Sequence, residues 1–80
     1  MQPPRNIVGP VVRKMRDGKG LTQEALAARL NLLGWDISRE TLAKIESQIR
    51  WVADFELVQI AAALETTPQA LLSEPDPPTS

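Results

Sequence analysis

Two series of apolar residues at helical spacing, separated by a short segment, restrict the fold of this chain more than any other feature. The first series is Leu26, Leu30 and Leu33, and the second is Leu42, Ile45 and Ile49. Spacings of three and four residues place each series on one face of a helix. The pattern predicts two short helices that bury these faces in one core and are joined by residues 34–37.

The residues around this connection are of the kinds that end and begin helices. Gly34 can adopt the left-handed conformation that closes a helix, so that Trp35 folds back on the preceding turn. Ser38 is a favourable N-cap for the next helix, and Ile37 before it would contact Leu42 as a hydrophobic staple. These signals predict that the two helices are consecutive, with a tight turn between them.

Similar signals predict three further helices. The first runs from about Val8 to Asp17, with Pro10 in its first turn, and glycines follow it. The expected N-caps of the remaining helices are Thr22, Asp54 and Thr67, the last of them before Pro68. No strand pattern and no repeat is found, so the predicted fold is all-α with five short helices. Residues 1–6 are predicted to be a flexible arm, 7–72 the domain and 73–80 a disordered acidic, proline-rich tail.

The composition argues against several classes of function. There is no Cys and no His in the 80 residues, which removes disulfides, thiolate metal sites and the commonest general base. No arrangement of the remaining groups suggests catalysis, so the chain is predicted not to be an enzyme and to need no metal or cofactor. No apolar run is long enough for a membrane span, and no signal peptide is found. A cytoplasmic protein without membrane contact is expected.

Charge is divided unevenly along the chain. Residues 1–50 contain all nine Lys and Arg with five acidic residues, a balance of +4, whereas residues 51–80 contain five acidic residues and no basic one. Chance segregation in a short chain would give the same pattern. The favoured interpretation is that one surface attracts an anion and the other stays away from it.

The side of the third helix opposite its apolar face is polar and suits the edges of DNA bases. Two helices joined by a short glycine-containing turn form a helix-turn-helix pattern, whose second helix enters the major groove. Arg39 can donate two hydrogen bonds to guanine, and Glu40 can accept one from cytosine. Lys44 lies about one turn further, and Ser38 stands at the tip, although capping occupies its hydroxyl. The other interpretation of these four residues is a solvated helix face.

Phosphate contacts are predicted at two other places. Gln23 lies at the start of the second helix, where free backbone N–H groups favour an anion. Gln48 and Arg50, just after the third helix, could hold a second phosphate.

These motifs resemble one known family. The runs "GLTQEALAARL" and "ISRETLAKIE", with the later pattern R-V-x-x-x-E-L-x-x-I-A-x-A-L, are similar to Cro/lambda-repressor-type helix-turn-helix proteins, the XRE family, over about residues 7–72. The resemblance implies a compact five-helix domain that binds operator DNA, usually as a dimer. It implies base contacts for Ser38, Arg39, Glu40 and Lys44, and a phosphate contact for Gln23. It also implies a salt bridge between Arg16 and Glu46 that ties the first helix to the third.

The chain departs from the family pattern in three places. The connection between Leu30 and Ser38 is longer than usual, which is interpreted as an extra turn of the second helix. Gln48 and Glu65 each stand where a glycine is common. A left-handed conformation at Gln48 would cost on the order of 1 kcal/mol. None of these departures falls on a predicted base contact.

The main prediction is therefore a double-stranded DNA-binding transcription regulator, repressor-like and homodimeric. The alternative is an antitoxin- or antirepressor-like module on the same scaffold that binds another protein, with weak or secondary DNA binding. The dimer contact is expected at the fifth helix and near Trp51 and Phe55. Trp35 is expected to pack on the turn. Trp51 is expected at the domain edge or against a partner, and nucleic-acid stacking by either tryptophan is the less favoured reading.

Overall fold

The computed structural model describes residues 3–73, and this part of the chain forms five α-helices and no strand. The helices are α1 (Gly9–Gly18), α2 (Gln23–Leu32), α3 (Arg39–Glu46), α4 (Asp54–Ala63) and α5 (Pro68–Ser73). The all-α prediction is confirmed. Of the predicted tail, only Ser73 lies within the described residues, where it ends α5.

One apolar core joins all five helices. α3 packs against α1 and α2, and α4 packs against α2 and α5. The largest fully buried side chains are Val12, Leu26, Leu30, Leu42, Ile45, Ile60, Leu64 and Leu71. Leu33 and Ile49 do not belong to this core, contrary to the sequence prediction; Leu33 is the C-cap of α2 and is 47% exposed. Because α3 ends at Glu46, Ile49 lies past the helix, and its side chain is 57% exposed.

Hydroxyl caps fix where three helices begin. The side chain accepts a hydrogen bond from the backbone N–H three residues later: Thr22 from Ala25 at 3.0 Å, Ser38 from Thr41 at 3.1 Å and Thr67 from Ala70 at 3.1 Å. The prediction of Asp54 as a cap is wrong. Asp54 is the first helical residue of α4, the N-cap is Ala53, and the Ala53 N–H donates to the Glu56 carboxylate at 3.0 Å.

The first four helices end in the same way. The residue after each C-cap has a positive φ: Gly20 at 71°, Gly34 at 100°, Gln48 at 66° and Glu65 at 60°. The next residue donates its N–H to a carbonyl five positions back: Leu21 to Arg16, Trp35 to Leu30, Ile49 to Lys44 and Thr66 to Ala61, at 2.8–3.0 Å. These bonds satisfy carbonyls that the helix leaves unpaired. The left-handed turn predicted at Gly34 is confirmed, and Gln48 and Glu65 adopt the conformation that usually favours glycine.

The described start of the chain is bonded to the end of α3. The Arg5 N–H donates to the Gln48 carbonyl at 2.9 Å. The Asn6 side-chain amide donates to the carbonyls of Ile45, at 3.1 Å, and Arg50, at 2.9 Å. Residues 5 and 6 are therefore part of the folded domain, which differs from the predicted flexible arm over 1–6. Residues 1 and 2 lie outside the described part.

Candidate nucleic-acid interface

The polar side of α3 faces solvent. Ser38, Arg39, Glu40 and Lys44 are all exposed. The Arg39 side chain is 47% exposed and that of Glu40 71%, and a loose ion pair of 3.6 Å joins the two groups. The opposite side of the helix is buried through Leu42 and Ile45. The four predicted base-contacting residues thus lie together on one accessible surface, which we call the α3 tip.

Ser38 differs from the other three members of the α3 tip. Its hydroxyl accepts from the Thr41 N–H and donates to the Thr41 hydroxyl, both at 3.1 Å. Both functions of the group are therefore in use within the helix. Ser38 defines the start of α3, whereas Arg39, Glu40 and Lys44 offer side chains that extend beyond it.

A buried hydrogen-bonded network holds α3 to the two preceding helices. Arg16 Nε donates to Glu46 Oε2 at 2.7 Å and Arg16 Nη2 to Glu46 Oε1 at 3.1 Å, which is the salt bridge that the resemblance implied. Arg16 Nη1 also donates to the Leu21 carbonyl at 2.7 Å. The hydrogen bonds to Glu46 raise the pKa of Arg16 above its ordinary value, against the opposing effect of burial. Both members of the pair are buried, so its geometry fixes the position of α3.

Gln23 belongs to the same network. Its side-chain nitrogen donates to Glu46 Oε1 at 3.0 Å. An amide nitrogen carries two hydrogens, so one donor and the side-chain oxygen remain available. Glu46 therefore orients both Arg16 and Gln23, and it places the Gln23 amide at the beginning of α2.

The side chains of Gln48 and Arg50 are engaged within the protein. The Gln48 amide donates to the Asn6 carbonyl at 3.0 Å. Arg50 donates to both carboxylate oxygens of Glu56, at 3.0 and 3.3 Å, and to the Trp51 carbonyl at 2.8 Å. A phosphate contact by either residue stays a prediction, and it would have to share or replace these bonds.

The Arg50 guanidinium also lies over the Trp35 ring, 5.7 Å from its centroid. This is within the range of a cation–π contact.

The hydrogen bond from Arg50, with a smaller contribution from the Ala53 N–H, lowers the pKa of Glu56 although burial opposes the shift. Trp35 is predicted to pack on the turn, and its side chain is partly buried against the core.

Three side chains that the sequence analysis did not single out fix the site through backbone carbonyls. Asn31 donates to the carbonyls of Trp35, at 2.9 Å, and Ile37, at 3.1 Å, and so braces the turn between α2 and α3. Arg29 donates to the Ala63 carbonyl at 3.0 Å, which links α2 to the end of α4. Asn6 is the third. Their partners are backbone atoms distant in sequence or in a turn, so hydrophobic spacing carries no signal for them.

Several exposed apolar side chains, together with the partly buried Trp35 and Leu57, form two separate surfaces. The Trp51 surface comprises Ile7, Trp51, Leu57 and Leu72, which line one concavity with neighbouring residues. The Phe55 surface comprises Trp35, Phe55 and Val58, which line another beside Gly34. Trp51 is 68% exposed and Phe55 63%. The two aromatic residues therefore belong to different candidate contact areas.

The sequence of this domain matches the model of one known protein family. A model described as "Helix-turn-helix" matches residues 12–71, which include α2, the turn and α3. The chain belongs to this helix-turn-helix family, of the Cro/C1 (XRE) type. Proteins of this family bind double-stranded DNA, and this helix-turn-helix domain is a DNA-binding domain. Comparisons with curated proteins and with solved structures found no match.

Neither a membrane-spanning helix nor a group of metal ligands occurs in the described part of the chain. No helix among residues 3–73 has the length and apolar character needed to cross a membrane. No group of three or more potential ligand side chains in this range is arranged to hold a metal ion.

Proposed function

We propose that this helix-turn-helix protein is a sequence-specific transcription regulator that reads the DNA major groove with α3. The observation that carries the proposal is the α3 tip: its long polar side chains are exposed, while the opposite side of the helix is buried and held by Arg16 and Glu46. A recognition helix needs this combination of free side chains and a fixed backbone. The network also limits how far α3 can move relative to α2.

Each member of the α3 tip has a role that follows from its chemistry. Arg39 donates a bidentate pair to guanine, and Glu40 accepts from cytosine. Their ion pair of 3.6 Å is exposed and weak, so DNA can replace it at low cost. Lys44 contacts a guanine or a phosphate one turn further along. Ser38 contributes less, because its hydroxyl is already bonded twice.

The start of α2 anchors the protein on the sugar–phosphate backbone. Gln23 has one side-chain N–H left for a phosphate oxygen. The first backbone N–H groups of α2 point out of the N-terminal end of the helix, as in any helix, and this arrangement favours an anion there. Glu46 holds the Gln23 amide at this place. Contacts of this kind set the register of α3 in the groove and carry no sequence information.

The protein acts as a homodimer on two half-sites in this proposal, with a repressor-like role. One domain of this size has a small footprint, and two copies one helical turn apart are the usual solution. The Trp51 and Phe55 surfaces support the dimer, because each exposes aromatic and aliphatic groups that a second copy could cover. Replacing Trp51 or Phe55 by Glu separately, with sedimentation of both variants, would show which surface is used.

A protein-binding role on the same scaffold is the second candidate. The two exposed apolar surfaces favour it, because a monomeric DNA reader has no need of them. Salt dependence separates the two candidates. A DNA-binding protein loses affinity steeply as the salt concentration rises. In a plot of the logarithm of the binding constant against that of the salt concentration, each phosphate contact adds about 0.9 to the negative slope. A flat slope, or no binding to any duplex, would leave the protein-binding role.

Selection of bound sites from a random duplex pool tests the main proposal directly. A consensus should emerge, and Arg39→Ala should relax the preference at one position and cost about 1–3 kcal/mol there. Arg13→Ala is a suitable control, since Arg13 lies on α1 in an exposed pair with Asp17. A pool without any consensus, or an Arg39→Ala variant that loses affinity equally for all sequences, would contradict base reading by Arg39.

A further inference from the structure

The basic side chains differ in whether the protein itself neutralises them. Most have partners: Arg13 with Asp17, Arg16 with Glu46, Lys19 with Glu65, Arg39 with Glu40 and Arg50 with Glu56. Arg29 donates to a backbone carbonyl, and Lys14 also has an interaction. Within residues 3–73, Arg5 and Lys44 are left with side chains that make no hydrogen bond or ion pair.

Both of these side chains lie at the C-terminal end of α3. Lys44 is in the last turn of the helix. Arg5 lines a concavity together with Ser47, Gln48 and Ile49, the residues that follow α3. Lys44 and Ser47 are both exposed and stand three positions apart, on the same side of the helix axis. Two positive charges without partners therefore lie in the region around the end of α3.

Hydrogen bonds of the main chain at residues 5 and 6 fix the position of Arg5. Its own N–H donates to the Gln48 carbonyl at 2.9 Å. The following carbonyl, that of Asn6, accepts from the Gln48 side chain at 3.0 Å. Asn6 is further held by the Ile45 and Arg50 carbonyls. The exposed guanidinium of Arg5 thus extends from an anchored main chain, which reduces the entropy lost when it binds a ligand.

A basic side chain is needed at the end of α3 if DNA is to bind there. The C-terminal end of a helix carries partial negative charge, which repels the phosphates of DNA approaching α3. Of the two phosphate donors predicted beyond α3, Arg50 is paired with Glu56, and the Gln48 amide already gives one of its two hydrogens to the Asn6 carbonyl. Among the described residues, Arg5 and Lys44 are the basic groups at this end whose side chains have no partner, and Arg5 is the one that lies beyond the helix.

We propose that Arg5 binds a phosphate of the DNA strand that borders the major groove at the C-terminal end of α3. The proposal rests on the proposed function, in which α3 occupies that groove. In this arrangement α2 and Arg5 contact the sugar–phosphate backbone on the two sides of the reading helix. Arg5 contributes affinity and orientation, and it does not distinguish one base from another.

The test compares the full chain with Arg5→Ala, Arg5→Lys and the control Arg13→Ala, by fluorescence anisotropy on the selected duplex and on an unrelated one at several salt concentrations. Arg5→Ala should reduce the log–log salt slope by about 0.9 per bound protomer, which corresponds to a loss of about eightfold at 0.1 M salt. The loss should be equal for both duplexes. Arg5→Lys should restore most of the slope, and Arg13→Ala should match the wild type.

Thermal unfolding provides the structural control, because alanine keeps the backbone bond from residue 5 to Gln48 and should leave the midpoint unchanged. An unchanged slope in Arg5→Ala would overturn the proposal, as would an altered base preference at an unchanged slope. Wild-type protein that binds no duplex in a salt-dependent way would instead overturn the proposed function, and the Arg5 contact with it.

Discussion

The α-carbon of Gly9 lies so close to the carbonyl group of Ile45 that no side chain fits between them. A Cβ at position 9 would overlap the Ile45 oxygen and would lie 2.9 Å from the Glu46 oxygen. The same Ile45 oxygen accepts a hydrogen bond from Asn6, whose side chain in turn accepts from the Gly9 N–H at 2.7 Å. The start of α1 and the end of α3 are therefore in backbone contact, which sets where the α3 tip stands.

Gly9→Ala should destabilise the protein by about 1–3 kcal/mol, because the added methyl group displaces one backbone from the other. Gly18→Ala is the matched control. No atom lies within 4 Å of a Cβ at position 18, and its φ is not in the left-handed region. That substitution should stabilise by about 0.4–1 kcal/mol through the unfolded chain. Urea unfolding measures both. Equal effects of the two substitutions would show that α1 does not approach α3 as described.

Removing the charge of Glu46 should be among the most damaging single changes. Glu46→Gln leaves the buried Arg16 guanidinium with only the exposed Asp17 carboxylate, 3.2 Å away, as a counterion, and loss of a buried partner costs about 3–5 kcal/mol in comparable sites. In contrast, Arg13→Ala breaks a 4.0 Å pair whose side chains are 69% and 61% exposed, and it should cost less than about 1 kcal/mol. Chemical denaturation of both variants gives the comparison. A Glu46→Gln variant as stable as the Arg13→Ala variant would argue against a structural role for the buried pair.

Much of this fold can be predicted from the sequence because its signals are local. The caps Thr22, Ser38 and Thr67 and the closing Gly34 depend on residues within one turn, so the order and type of the helices follow from short patterns. The error at Ile49 has a physical reason. Its spacing continues the apolar series of α3, but the helix closes first, at a left-handed Gln48, and spacing alone cannot show that.

Contacts between residues distant in sequence differ in whether any sequence information predicts them. The Arg16–Glu46 salt bridge came from the resemblance, since nothing local pairs residues thirty positions apart. The roles of Asn6 and Asn31 depend on backbone carbonyls brought near by the tertiary fold, and no spacing rule indicates them. The same holds for Arg50, whose pairing with Glu56 could not be separated from availability to phosphate on sequence grounds.

Glu65 offers a stabilising substitution. It has a φ of 60°, in the region where a side chain is strained, and its ion pair with Lys19 is long, at 3.7 Å, and exposed. Glu65→Gly should therefore raise the free energy of unfolding by about 1 kcal/mol. Gln48→Gly removes similar strain but also the hydrogen bond to Asn6, so its gain should be smaller or absent. Thermal or urea unfolding distinguishes them. A larger gain for Gln48→Gly would mean that the bond to Asn6 contributes nothing.

Glu56 should make stability depend on acid pH. Its pKa in the folded protein is lowered, chiefly by the hydrogen bond from Arg50, so the carboxylate favours folding while it is ionised. That contribution is fully present above the unfolded pKa of about 4.3 and is lost as the pH falls through the lower folded value. Glu56→Gln should accordingly be less stable than the wild type at pH 7, by about 1 kcal/mol given the partly exposed Arg50, and the difference should be smaller at pH 3, below the unfolded pKa of about 4.3. Urea titrations at several pH values measure the difference.

Glu24→Gln serves as the control, since Glu24 is exposed in the first turn of α2 and should shift stability by about 0.5 kcal/mol or less at either pH. A Glu56→Gln deficit that stays constant down to pH 3 would show that its cause is packing and not the charge.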